Sequence, residues 1–83
     1  MRSAREMRRL TAVFLAGEPG ARFHSADLRR AANLTGQRLS ALLERLHNLG
    51  WVADGFDEPS PDSRVRLPYY VLTDIGRREL TRP

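Results

Sequence analysis

The 83-residue sequence contains no cysteine, which removes disulfides, thiolate zinc sites, iron–sulfur clusters and a cysteine nucleophile from consideration. Stability has to come from packing, or from pairing with a second copy. Lysine is absent too, so all 14 basic residues are arginine. Arginine presents a planar fork that suits phosphates and guanine edges, although GC-rich coding produces the same bias. Long apolar runs are missing: nothing approaches the roughly 20 residues that span a bilayer, and the arginine-rich start lacks the apolar stretch of a signal peptide. The expected location is the cytoplasm. The chain is too short for two independent cores, so residues 1–83 are read as one domain.

What is present begins with a formal charge of +4, which favours a polyanionic partner, moderated by ten acids spread among the arginines. Met7, Leu10, Val13 and Phe14 recur at helical spacing between Arg5 and Ala16, with Arg5, Glu6, Arg8 and Arg9 on the other side. This first helix stops at Gly17-Glu18-Pro19-Gly20. Arg22-Phe23-His24 reads as a short extended piece. Ser25 then suits the N-cap of a second helix to Ala32, with Asp27 in its first turn.

Asn33 suits a left-handed helix end, and Thr35 caps a third helix that runs from Thr35 to Leu49. Its Leu39, Leu42, Leu43, Leu46 and Leu49 form an apolar stripe, and Gly50 ends it. Trp51 to Phe56 and Val65 to Leu72 read as two strands of a hairpin with a turn-rich tip. Pro68 cannot donate to a ladder, so its position is expected at an open edge or bulge. Thr73 caps a short last helix through Leu80.

The order helix, short strand, helix, helix, hairpin, helix predicts an α+β, mostly α, winged helix-turn-helix that presents its third helix to the major groove of duplex DNA. Taking the leucine stripe as the buried centre at about 100° per residue, Gln37, Ser40, Ala41, Glu44 and Asn48 face outward, with Arg38 and Arg45 on one flank. Short Ser40 and Ala41 let the helix sink into the groove, Gln37 suits adenine, and Arg38 or Arg45 suits guanine or phosphate. Thr35 and Gly36 lie at the end of the helix that enters first. Glu44 is open to three readings: acceptor from a cytosine amine, partner of an arginine along the helix, or a charge that repels phosphate. Ser25, Arg29 and Arg30 are expected on the backbone. In the wing, Arg64 and Arg66 suit phosphate or minor groove, opposed by Asp57, Glu58 and Asp62. The amino-terminal arginines read as a solvated face.

His24 and His47 have no carboxylate at ligand spacing, and Trp51 and Phe56 are expected to close the core rather than to stack on a base or a small ligand. No metal, cofactor or active site is expected, since the acids of the hairpin tip share one loop without an oriented partner.

The segment Arg38 to Leu49 followed by Gly50-Trp51-Val52 resembles the close of the PadR and MarR reading helix. Leu67-Pro68-Tyr69-Tyr70-Val71-Leu72-Thr73-Asp74-Ile75-Gly76-Arg77 is similar to the strand-to-helix corner of the PadR group. The resemblance spans nearly the whole chain. It implies a bacterial or phage transcriptional regulator, usually a repressor, and usually a homodimer on a palindromic operator. The sequence stops at Pro83, short of the dimerisation helices usual in that group, so a dimer is expected to use the first and last helices through Met7, Leu10, Val13, Phe14 and Leu80. The competing expectation is a winged helix that docks on another protein, as an anti-activator or a plasmid or phage assembly factor, and it draws on the acidic wing and Glu44.

Overall fold

The apolar spacing noted above becomes structure in a computed structural model that describes residues 2–58 and 66–82. Among them are four helices and three strands in the order α1 (Arg2–Ala16), β1 (Arg22–His24), α2 (Ser25–Ala32), α3 (Gly36–Asn48), β2 (Val52–Phe56), β3 (Pro68–Leu72) and α4 (Asp74–Leu80). The result is a small α+β arrangement, mostly helical, with one antiparallel sheet ordered β1-β3-β2. No helix among the described residues is long and apolar enough to cross a membrane.

Leu10 and Phe14 of α1, Leu28 and Ala32 of α2, the leucines of α3, and Val52 and Leu72 of the sheet form one buried cluster. Phe14 meets Phe23 edge-on at 5.1 Å between ring centres, so β1 is pinned to α1 as well as to β3. Leu10 and Phe14 are fully buried. That corrects their expected role in a dimer, because a side chain spent on the protein's own core has no surface left for a second copy. Met7, Val13 and Leu80 are partly buried against the same cluster.

β3 is the central strand. It pairs with β1 through Arg22↔Val71 to His24↔Tyr69 and with β2 through Val52↔Leu72 to Phe56↔Pro68. The Asp57 amide donates to the Leu67 carbonyl at 2.9 Å, so by the alternation of an antiparallel ladder the neighbouring Pro68 points its nitrogen away from β2. On that side β1 has already ended at His24. The missing amide therefore falls beyond the ladder, as the chemistry of proline requires.

Three boundaries differ from the sequence-based expectation. α1 starts at Arg2 rather than Arg5. Ser25 is the first helical residue of α2 rather than its cap: extended His24 holds the N-cap place and offers no side-chain hydrogen bond. Strand β3 begins at Pro68, with Arg66 and Leu67 before it outside the strand, and the expected start at Val65 lies outside the described residues. Two side chains assigned inward are outside: Leu49 is 56% exposed and Phe56 is 64% exposed. Leu49 sits in the C-cap place after Asn48, where the stripe outlasts what packs on it. Phe56 lies at the far end of β2, opposite exposed Pro68 and away from the helices. Trp51, by contrast, is partly buried against the core.

Candidate nucleic-acid interface

Three residues join α2 to α3, and each has a backbone role. Asn33 takes the left-handed conformation, φ 55 and ψ 56, and its amide faces the carbonyls of Arg29 and Arg30. Asparagine tolerates this region better than most side chains. Leu34 is buried, and its amide donates to the Arg29 carbonyl at 2.9 Å. Thr35 is extended and its Oγ1 accepts from the Arg38 amide at 3.1 Å, satisfying one of the orphan donors at the start of α3. The turn is thereby closed at both ends, which sets α3 against α2 without slack.

α3 divides by angle as its leucines require. Leu39, Leu42, Leu43 and Leu46 are buried, whereas Gln37, Ser40, Ala41, Glu44 and Asn48 are exposed. The outward strip therefore carries short or polar side chains along its whole length. Thr35 and Gly36 are exposed at its amino end. A Cβ on Gly36 would lie 3.7 Å from Cδ of Arg29, so the Arg29 stem runs beside the start of α3.

The two flanks differ in charge and in company. On one, Arg38 is turned toward α1: its Nε and Nη2 donate to Oε1 of Glu6 at 3.0 and 2.7 Å. Glu6 is only 13% exposed in its side chain. Arg38 is thus engaged within the fold and does not project from the outward strip. Arg45, on the same flank, is exposed and borders a groove with Met7, Arg8 and Trp51. On the other flank, Ser40, Glu44 and His47 of α3 face Asp54 and Tyr70 of the sheet across a cleft of about 230 Å³ floored by Leu43 and Val52. His47 Nε2 stands 3.5 Å from Asp54 Oδ1.

The remaining expected contacts spread around this unit. Ser25 is half-buried at the start of α2. Arg29 and Arg30 are exposed, and Arg30 donates to Asp27 one turn earlier at 3.0 Å. Arg66 is exposed just before β3. Arg64 lies outside the described residues. Asp57, expected as free charge at the wing, is instead held on the outer face of the sheet by His24 at 2.6 Å and Arg22 at 3.9 Å. The Arg22 guanidinium also lies 4.3 Å from the ring centre of Tyr69, a cation–π arrangement. These contacts bind β1 to the root of the β2–β3 hairpin.

Local spacing carried no signal for Glu6 as the partner of Arg38, since the two are 32 residues apart. His47 and Asp54 flank the turn at Gly50, which folds the end of α3 back against β2 and brings the two together. The place of Tyr70 in the cleft follows from sheet register, which sets it opposite Asp54. Among the described residues no group of three metal-ligating side chains comes together. No family model and no curated protein matches the chain.

Proposed function

We propose that this protein is a winged helix-turn-helix that binds duplex DNA in a sequence-specific manner as a small transcriptional regulator, with α3 in the major groove and the β2–β3 hairpin as the wing. One observation carries the reading: α3 is fixed on three sides by core, α1 and sheet, while its fourth side is a continuous exposed strip of short or polar residues joined to α2 by a closed three-residue turn. A helix held this way and left bare is what groove reading needs. Gln37, Ser40 and Ala41 face base edges, Arg45 and Arg29 face flanking phosphates, and Ser25, Arg30 and Arg66 extend the backbone contact. Bound across a promoter such a domain acts as a repressor by occupying the site.

The test is selection of bound sequences from a random duplex library, then titration of the winner against scrambled duplex at two salt concentrations. One enriched motif held at least about a thousandfold tighter than scramble supports the proposal. Weak, sequence-blind binding that disappears with salt defeats it.

A second reading, docking on another protein, is favoured by one feature of the wing: Phe56 and Leu67 are 64% and 54% exposed. Backbone phosphates have no use for these apolar groups. Under that reading duplex selection fails, and Phe56→Ser leaves the fold intact while abolishing capture of the partner.

A further inference from the structure

We infer that Glu44 is a specificity-determining residue that selects cytosine in the duplex; the inference rests on the major-groove reading of α3. Glu44 is exposed on the outward side of α3, one turn beyond Ser40 and Ala41. Those two side chains are short, so the helix axis can approach the groove floor and the two-methylene stem of Glu44 reaches base edges there. Among the described residues Glu44 takes part in no ion pair. The cations of α3 sit on the opposite flank, where Arg38 is taken by Glu6 and Arg45 borders the α1 groove. On its own flank Glu44 looks across the cleft toward Asp54, which already has His47 Nε2 at 3.5 Å.

The Glu44 carboxylate repels a phosphate oxygen, so Glu44 itself cannot serve the DNA backbone. A base edge is different. A carboxylate only accepts hydrogen bonds. In the major groove guanine offers two acceptors, thymine an acceptor and a methyl group, and adenine a donor beside the N7 acceptor. Cytosine is the one base whose own major-groove edge carries a donor, the N4 amine, and no acceptor, the neighbouring O6 belonging to its paired guanine. Attraction toward that amine and repulsion from the other three edges act together, which is how one charged side chain both chooses and rejects.

The experiment repeats the random-duplex selection with the wild type, Glu44→Gln and Glu44→Ala, with circular dichroism as the check that each variant is folded. The wild-type motif is expected to contain one C·G position at which other bases bind about 5- to 150-fold more weakly. Glu44→Gln shifts that position toward adenine, whose N6 and N7 suit an amide. Glu44→Ala relaxes it, leaves the other positions intact, and raises affinity for scrambled duplex because a repelling charge is gone. An Glu44→Ala motif identical to the wild type at every position overturns the inference while the groove reading stands. Loss of every position together in a folded variant also overturns it, because Glu44 then positions the helix and reads no base. A wild type that enriches nothing removes the groove reading itself, and the inference with it.

Discussion

Glu6 accepts two hydrogen bonds from Arg38 on a single carboxylate oxygen, at 3.0 and 2.7 Å. The pair ties the first helix to the first turn of α3 across 32 residues of sequence. Removing Arg38 strands a largely buried carboxylate, whereas removing both charges does not. Arg38→Ala is therefore expected to cost about 1–2 kcal/mol of stability, since the arginine itself is partly solvated, and Arg38→Ala with Glu6→Gln should recover part of the loss. Urea denaturation of the two singles and the double checks this, and additive losses would show that the pair carries no coupling.

Gly76 and Gly55 make a contrasting pair of tests. A Cβ on Gly76 would run into the backbone carbonyl of Trp51 and stand 2.9 Å from Cδ1 of Leu72. Neither a carbonyl that already accepts from the Thr73 amide at 2.9 Å nor a core leucine yields easily, so Gly76→Ala should destabilise by about 2–3 kcal/mol. A Cβ on Gly55 would stand 2.6 Å from the far end of the Tyr69 ring, a side chain that can swing aside. Gly55→Ala should cost less than about 1 kcal/mol, and thermal melts of both variants will rank them.

Two threonine caps differ in what else they hold. Thr35 Oγ1 only accepts from the Arg38 amide, at 3.1 Å. Thr73 Oγ1 accepts from the Gly76 amide at 3.0 Å and donates to the Gly50 carbonyl at 2.7 Å. Thr35→Ala is expected to cost about 1 kcal/mol and Thr73→Ala about 2 kcal/mol. Equal losses in chemical denaturation would mean that the Gly50 bond adds nothing.

Base and backbone contacts should separate by salt. Gln37→Ala should weaken binding to the selected duplex by about 1–3 kcal/mol and change preference at one position. Arg29→Ala should weaken all duplexes alike and lower the slope of log affinity against log salt by about one unit. Titrations across a salt series distinguish them, and a slope that Arg29→Ala leaves untouched would take Arg29 off the backbone.

The features legible in the sequence were those set within a few residues. Asn33 and Gly50 announce a helix end by their tolerance of positive φ, Thr35 and Thr73 by a capping hydroxyl, and the structure finds each at such an end. The leucine stripe of α3 was legible for the same reason until Leu49, because periodicity records spacing and not where the neighbouring elements stop. Ser25 misled by one residue, because β1 runs directly into α2 and leaves His24 in the N-cap place. Long-range partnerships were not legible. Arg38 as a tie to Glu6, Asp57 as the property of His24 and Arg22, and Leu10 and Phe14 as interior all depend on which elements pack together.

The central place of β3 has a consequence for how the chain is made. Among the described residues β1 pairs only with β3, His24 opposite Tyr69 and Arg22 opposite Val71, so β1 waits until β3, made after β2, has left the ribosome. Until then the three-helix segment can collapse, but Phe23 has no ladder to hold it beneath Phe14 and β2 has no partner on either edge. Closure of the sheet is thus a late, long-loop event with the slow kinetics such pairings carry. A nascent or truncated chain lacking β3 exposes two unpaired strand edges at once, the form in which this protein is most open to aggregation.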